Sequence, residues 1–435
     1  MSNAERPFQM RSVALAAFLP TLLFSIGEGA IIPLIPIVAN DLGASLAIAG
    51  FIAAMIMVGE LAGDIPSGWV VAHIGERNAM LWASLLAVIA VLICIVAPNP
   101  LVLGVGIFLI GLATAVFALA RHAFMTSYVP LAYRARALST LGGIFRAGWF
   151  IGPFIAAALL SLTGSTESVF WVFVVCCLGA AAMLLLLPDP ESTFGGTQLV
   201  KAPDGSVVPA RRELAAEKSQ GLFRTIWGFR AVLLRLGTGA GLVGAMRASR
   251  TVLLPLWAVS IGISVPDIAL IIGIAGAVDF ALFYVSGQIM DRFGRLWTAL
   301  PSMIGLGTGH VILAFTHDLP GNVEWFIAVA MILSLANGIG SGLLMTLGAD
   351  LAPKDSSPAP FLGAWRFTAD LGGAVAPLAV AGMTAVATIS IASGVVGVFG
   401  LLGAVILGRY IPRFAPRRPR LRPCTAWHLN AWAGE

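Results

Sequence analysis

Charge is what this sequence lacks most. Of its 435 residues only 11% are Asp, Glu, Lys or Arg, and 58% are hydrophobic, whereas an average soluble domain carries roughly 25% charged residues. A water-soluble globular protein is excluded. Cysteine is scarce too: Cys94, Cys176, Cys177 and Cys424 form no CxxC or His-spaced pattern, three lie in apolar stretches and two are adjacent. That excludes a disulfide framework or a zinc site, and all four read as reduced packing or tail residues. No phosphate-cradling glycine loop, no nucleophile beside a base and no metal-ligand cluster is present, so nucleotide-driven or hydrolytic chemistry has no residues to carry it. No cofactor and no metal are expected. The net charge of +5 would suit nucleic acid only if gathered on a soluble basic face; here the basic residues sit between apolar runs, and no nucleic-acid partner is expected.

What is there is apolar length. A hydrocarbon core about 30 Å thick takes roughly 20 apolar helical residues per crossing. Such runs fall at about 12–38, 45–68, 78–97, 101–125, 139–163 and 168–187, then, after a polar stretch, at about 230–261, 267–290, 297–315, 322–349, 360–384 and 387–411. The first run lacks a small-residue cleavage site and reads as a span, not a signal peptide. Six plus six spans put both termini on one side. The loops at 39–44, 98–100, 164–167, 262–266, 316–321 and 385–386 contain no Lys or Arg, while the opposite segments carry Arg6, Arg11, Arg77, Arg134, Arg136, Arg292, Arg295, Lys354 and the basic tail. The positive-inside rule then makes both termini cytoplasmic in a multi-pass cell-membrane protein.

The expected organisation is a cytoplasmic N-terminus (1–11), a six-helix bundle (12–187), a cytoplasmic linker (188–229), a second six-helix bundle (230–411) and a basic cytoplasmic tail (412–435). The linker is read chiefly as solvated chain; a hairpin at Asp204-Gly205 and an amphipathic helix from about Pro209 are the alternative. Attraction to anionic lipid, about 1 kcal/mol per basic residue near the surface, accounts for the tail.

The halves repeat. Ile31-Ile32-Pro33-Leu34 answers Leu253-Leu254-Pro255-Leu256 at an offset of 222, Gly68 and Gly75 answer Gly287 and Gly294 at 219, and Gly143-Ile144-Phe145-Arg146 answers Gly363-Ala364-Trp365-Arg366 at 220. Two parallel repeats about an axis along the membrane normal are expected. On Gly287-Gln288-Ile289-Met290-Asp291-Arg292-Phe293-Gly294-Arg295, which matches the loop signature G-x-x-x-D-R-x-G-R, the chain resembles a major facilitator superfamily transporter. The likeness is greatest to the twelve-span drug:proton antiporter type. It implies an all-α polytopic membrane protein with twelve transmembrane helices in two pseudo-symmetric bundles, working by alternating access. The first-half copy keeps Gly68 and Gly75 but has Ala72, His73 and Glu76 at the charged positions, with Asp64 and Arg77 nearby as partial substitutes. Gly148, Gly152 and Pro153 in span five resemble the family's G-x-x-x-G-P antiporter motif, with Ala156-Ala157 in place of its trailing glycines. The family's Arg at the start of the span-four signature is replaced by Ile107.

The resemblance makes Gly287, Asp291, Arg292, Gly294 and Arg295 a conformational latch, with Asp291 facing a helix N-terminus; a plain tight turn is the alternative. Gly148 and Gly152 suit either a rocking interface or simple close packing. Ionisable groups inside spans cost about 2.5–3.5 kcal/mol each and should face one another or a wet cavity. Glu28 and Arg250, at equivalent repeat positions in spans one and seven, lead as substrate or coupling-ion contacts, with a structural ion pair as alternative. Arg247 shares Arg250's face. Asp279 in span eight, left unpaired, would be a proton carrier; its counterpart Glu60 is expected near Arg146. Arg146 and Arg366 repeat one another, and Asp370 lies one turn from Arg366, where a local ion pair is the favoured reading. The leading expectation is efflux of a small organic or drug-like compound by proton exchange through Glu28 and Asp279. Uptake of a small organic anion held by Arg146, Arg247, Arg250 and Arg366 is the alternative, and a non-cycling receptor a third reading. The expected partners are a small-molecule substrate, protons and the lipid bilayer, and the chain is expected to work as a monomer.

Overall fold

The structure is a computed structural model and describes residues 17–129, 131–186, 199–201, 207–209, 227–352 and 359–414. Twelve helices among the described residues are long and apolar enough to cross a membrane. Span 1 is Leu19–Asp41, span 2 Leu46–Ile74, span 3 Glu76–Ile95, span 4 Pro100–Tyr128, span 5 Leu131–Thr163 and span 6 Glu167–Leu186. Span 7 is Arg230–Ser260, span 8 Val265–Phe293, span 9 Leu296–Thr316, span 10 Asn322–Leu351, span 11 Ala359–Val386 and span 12 Ile389–Phe414. In the linker, β1 (Leu199–Lys201) and β2 (Val207–Pro209) pair antiparallel, Val200 opposite Val208. The paired valines replace the solvated chain that polarity alone suggested; the residues between the two strands, Asp204-Gly205 among them, lie outside the described residues. The amphipathic helix considered from Pro209 and most of the tail lie outside the described residues.

Local chemistry sets the span ends, and it repeats. Ser45 and Ser264 cap spans 2 and 8, each side chain accepting a backbone N–H three residues on, at 3.4 Å. At the other ends Gly75 (φ +92°) and Gly294 (φ +98°) stop the same helices, a conformation that a side chain resists. All four positions keep the 219-residue offset. Pro33 and Pro36 remove helical hydrogen bonds, and span 1 tightens to a 3-10 turn at Ile32–Leu34. Span 10 breaks between Ile339 and Leu343, within Gly338-Ile339-Gly340-Ser341-Gly342.

Spans 1, 4, 7 and 10 are the most buried of the twelve, so they line the axis. Large apolar side chains such as Trp82, Leu101, Val175, Leu186, Phe315 and Val405 face outward, where hydrocarbon solvates them. At the end remote from the termini the halves meet tightly. Span 1's last turns pack on spans 7 and 8, Trp257 is fully buried, and Phe150 stacks on Phe280 across the halves at 5.8 Å. Towards the termini a methyl group placed on Gly287 or Gly363 would meet nothing within 4 Å, while one on Gly143 would meet Tyr284 of the other half.

Candidate functional site

The charged side chains of the spans collect into two groups. Asp279 of span 8 is the hub of the first. Its carboxylate lies 3.4 Å from Arg146 of span 5 and 3.6 Å from Arg250 of span 7. It also accepts from Asn337 Nδ2 at 2.6 Å and from the Ser341 hydroxyl at 3.4 Å, both on span 10. Arg250 donates to Ser334 Oγ at 2.6 Å, and Arg247, one turn away, donates to the Gly340 carbonyl at 2.6 Å. That carbonyl is available because span 10 breaks there; the neighbouring Ile339 carbonyl takes the Ser286 hydroxyl. Arg146 also lays its guanidinium over the Phe283 ring at 4.9 Å. Three guanidinium groups therefore gather around one carboxylate, two of them paired with it, and Arg247 Nε, Arg250 Nε and Asn337 Oδ1 are buried with no hydrogen-bond partner among the described residues. Buried donors without acceptors and two uncompensated positive charges leave this group short of negative charge.

The second group is acidic. Glu60 and Asp64 of span 2 and Glu28 of span 1 have Arg366 and Asp370 of span 11 and Arg121 of span 4 as charged neighbours. Arg366 reaches Asp370 at 3.1 Å within its own helix and Asp64 of the other half at 3.5 Å. Glu28 is fully buried. One oxygen accepts from Thr114 Oγ at 2.8 Å and the other from Trp149 Nε1 at 2.9 Å, while Arg121 lies over Phe145 at 4.6 Å. Four carboxyls against two guanidiniums give this side the opposite excess.

Several expectations change. Glu28 and Arg250 are not brought together, for each finds its partners inside its own half. Asp279 is held by two arginines rather than standing unpaired, and it takes Arg146, so Glu60 faces Arg366 and the acidic group instead. Gly148 and Gly152 pack against span 1 of the same half: a methyl on Gly148 would lie 2.5 Å from Ser25 Cβ and one on Gly152 2.4 Å from the Ile26 carbonyl. Gly152 and Pro153 are buried in that contact, which is internal to the bundle rather than between halves. Asp291 is 87% exposed and touches Arg295 at 3.9 Å, not a helix N-terminus. Arg295 instead forks onto Asp350 at the end of span 10, at 2.8 and 3.4 Å, and Arg292 lies over Phe293. Gly68 sits within span 2, and Arg77 donates to the last carbonyls of span 6, Leu184 and Leu185.

Ser334, Asn337, Ser341 and Thr114 escaped the sequence reading, as polar residues common in any helix. The signal for three of them was the glycine-interrupted run in span 10, the pattern by which transporters expose carbonyls at mid-membrane. For the Arg295–Asp350 contact, a double-mutant cycle of Arg295→Ala and Asp350→Ala read by denaturant unfolding should return a coupling of about 1 kcal/mol, as expected for a forked, partly exposed pair. Zero coupling would make the contact incidental.

The arrangement defines a class: a polytopic helical protein of two pseudo-symmetric six-helix bundles with charged groups held at mid-membrane between them. The sequence model of the Major Facilitator Superfamily matches residues 17–377, and the chain belongs to that family. Among curated relatives, a probable inositol transporter 2 of Arabidopsis thaliana is 26% identical over 194 residues, 43% of this chain and 32% of that protein. The galactose-proton symporter of Escherichia coli (strain K12) is 24% identical over 182 residues, 42% of this chain and 39% of the symporter. The chain thus spans between about a third and two fifths of the length of these relatives. A chloramphenicol resistance protein of Streptomyces lividans is 26% identical over 362 residues, 80% of this chain and 83% of that protein. A crystal structure of a D-xylose-proton symporter superposes with a TM-score of 0.71 at 15% identity, covering 93% of this chain and 99% of the other. That likeness speaks for the fold.

Proposed function

We propose that the chain is a secondary transporter that carries a small organic anion through the mid-membrane site in exchange or company with protons. The observation that carries it is the gathering of three arginines around one carboxylate: Arg146 and Arg250 pair with Asp279 at 3.4 and 3.6 Å, and Arg247 beside them has only a backbone carbonyl. A substrate carboxylate entering this group gains charge-assisted hydrogen bonds from guanidinium N–H groups that otherwise lack acceptors. The acidic group around Glu28 and Glu60 is the complementary proton store. Proton and anion together favour one facing state and their release the other, so neither alone completes the cycle. A gallate transporter of Pseudomonas putida, 28% identical over 174 residues, lends the anion reading support.

Purified protein in proteoliposomes with a trapped pH dye tests this. Small aromatic and aliphatic carboxylates are expected to move protons, and cationic amphiphiles are not. The reverse outcome favours a second reading, efflux of a drug-like compound by proton exchange, which rests on the Streptomyces lividans protein's match over 80% of the chain. Glu28→Gln separates the two roles. The amide can still accept from Trp149 and meet the Thr114 hydroxyl, so the variant is expected to fold and bind anion while proton movement falls at least about tenfold. Proton flux equal to wild type would remove Glu28 from the coupling.

A further inference from the structure

A cavity of about 300 Å³ opens between span 5 and span 8 near the end remote from the termini. One wall belongs to each half. Phe154, Ala157, Ala158 and Ser161 come from span 5, and Asp267 and Leu270 from the first turns of span 8. The alanines leave the space that longer side chains would fill. Phe154 closes the floor, because Gly273 lets its ring lie against span 8: a methyl on that glycine would stand 3.1 Å from the ring. The open side faces hydrocarbon. Ala158 and Leu162, one turn apart on one face of span 5, are exposed, and so are Leu270 and Ile274, one turn apart on span 8.

The groove is polar at its mouth and apolar below. Ser161 lies in the last turn of span 5 and Asp267 in the first turn of span 8, while Phe154 stands two helical turns, roughly 10 Å, deeper than Ser161. Both polar side chains present acceptors. The Ser161 hydroxyl spends its proton on the Ala157 carbonyl at 2.9 Å. One oxygen of Asp267 accepts from the Ser264 hydroxyl, and the other, Oδ1, takes no bond among the described residues. The full charge of this carboxylate outweighs the roughly half charge of the helix N-terminus beside it. No Lys or Arg stands in the loops at this end, so the mouth has no basic partner there and nothing that would draw a phosphate inward. What completes it is a cation that donates N–H bonds. Below the mouth, acyl tails in the bilayer are as apolar as the groove wall. The wall therefore fixes the position of a tail, and the mouth sets which lipid is preferred.

We infer that the groove between spans 5 and 8 binds a phospholipid whose headgroup carries a primary ammonium, of the phosphatidylethanolamine type. Such an ammonium has N–H donors for both Asp267 Oδ1 and Ser161 Oγ, whereas a trimethylated headgroup carries the same charge and no donor. The tail lies along Ala157, Ala158 and Leu270, where the space takes part of one acyl chain. Because the walls come from different halves, the lipid is held only while they stand at this separation, and its binding favours that arrangement. The inference is independent of what the mid-membrane site carries.

The full chain in phosphatidylglycerol vesicles, doped with a phosphatidylethanolamine that bears a photoactivatable group on its tail, tests this by mass-spectrometric mapping of the labelled peptides. Label is expected on segments 154–161 and 267–274. Unlabelled phosphatidylethanolamine should compete at least about tenfold better than phosphatidylcholine with the same tails, a difference that a hydrogen bond to a charged group supplies. Mono- and dimethylated headgroups should fall between. Asp267→Asn keeps an acceptor for Ser264 but loses the charge, and should bring these headgroups to within about twofold of one another. Ala158→Phe fills the groove from an exposed position and should abolish labelling of the two segments. No label there in the wild type, equal competition by the two parent lipids, a preference that survives Asp267→Asn, or labelling that survives Ala158→Phe overturns the proposal. So does competition by a long-chain alkylamine where phosphatidylethanolamine fails, which would make the occupant a soluble amphiphile.

Discussion

Asp279→Ala is expected to be the most damaging single change in the mid-membrane site, lowering transport at least about a hundredfold and leaving the protein visibly less stable. It removes the one carboxylate of the cluster, so Arg146 and Arg250 lose their ion partner at 3.4 and 3.6 Å, and Asn337 loses its acceptor. Breaking a buried pair by deleting one partner costs about 3–5 kcal/mol, because the other charge stays behind. These side chains are 14–24% exposed, which argues for the low end. The sign is informative in combination. Removing Arg146 as well should restore much of the stability, since the excess charge falls, yet it should not restore transport, since the anion loses a contact. Heat-induced loss of monodispersity in detergent reads the first effect and anion counterflow the second. A single variant as stable as wild type would mean that water or lipid already neutralises the arginines, and the anion seat would be lost with the charge argument.

How far the sequence foretold this arrangement depends on which relation is asked for. The span boundaries were legible because they are local: a serine cap at 45 or 264 and a positive-φ glycine at 75 or 294 act on the residues beside them. The repeat was legible for the same reason, as the same local device used twice. Partners were not. The 222-residue offset equates Glu28 with Arg250, and the 219-residue offset equates Glu60 with Asp279, but equivalence under a two-fold axis sets residues on opposite sides of it. Only residues lying on the axis meet their own counterparts. So Glu28 ends among Thr114 and Trp149, Arg250 beside Asp279, and Asp279 reaches back 133 residues to Arg146. No pattern along one chain encodes that distance. Asp291 illustrates a different limit: the resemblance set it against a helix N-terminus, but its side chain is 87% exposed and its charged neighbour is Arg295 of the same turn, at 3.9 Å.

The glycines of span 5 and their counterparts in span 11 carry the other large effect. A methyl on Gly152 would stand 2.4 Å from the Ile26 carbonyl and 2.5 Å from the Ala30 nitrogen; one on Gly372, 220 residues later, would stand 2.0 Å from the Gly241 carbonyl. Both obstructions are backbone, which cannot rotate aside, and in each half they hold the same pair of helices, span 5 on span 1 and span 11 on span 7. Even the smallest substitution must push two helices apart along their whole contact. Overpacking of a core costs about 1–3 kcal/mol, and a backbone obstruction belongs at or above the top of that range. Gly152→Ala and Gly372→Ala should therefore each reduce folded yield several-fold, and to similar extents. Gly363→Ala, where the added methyl meets nothing within 4 Å, is the control and should fold as wild type does. The comparison decides what the span-five motif is for. If Gly152→Ala folded normally and lost only coupling, the motif would act in the movement between halves. Parallel losses at Gly152 and Gly372 would instead make it one of a matched pair of contacts that keep each bundle rigid, so that the two halves can move as bodies.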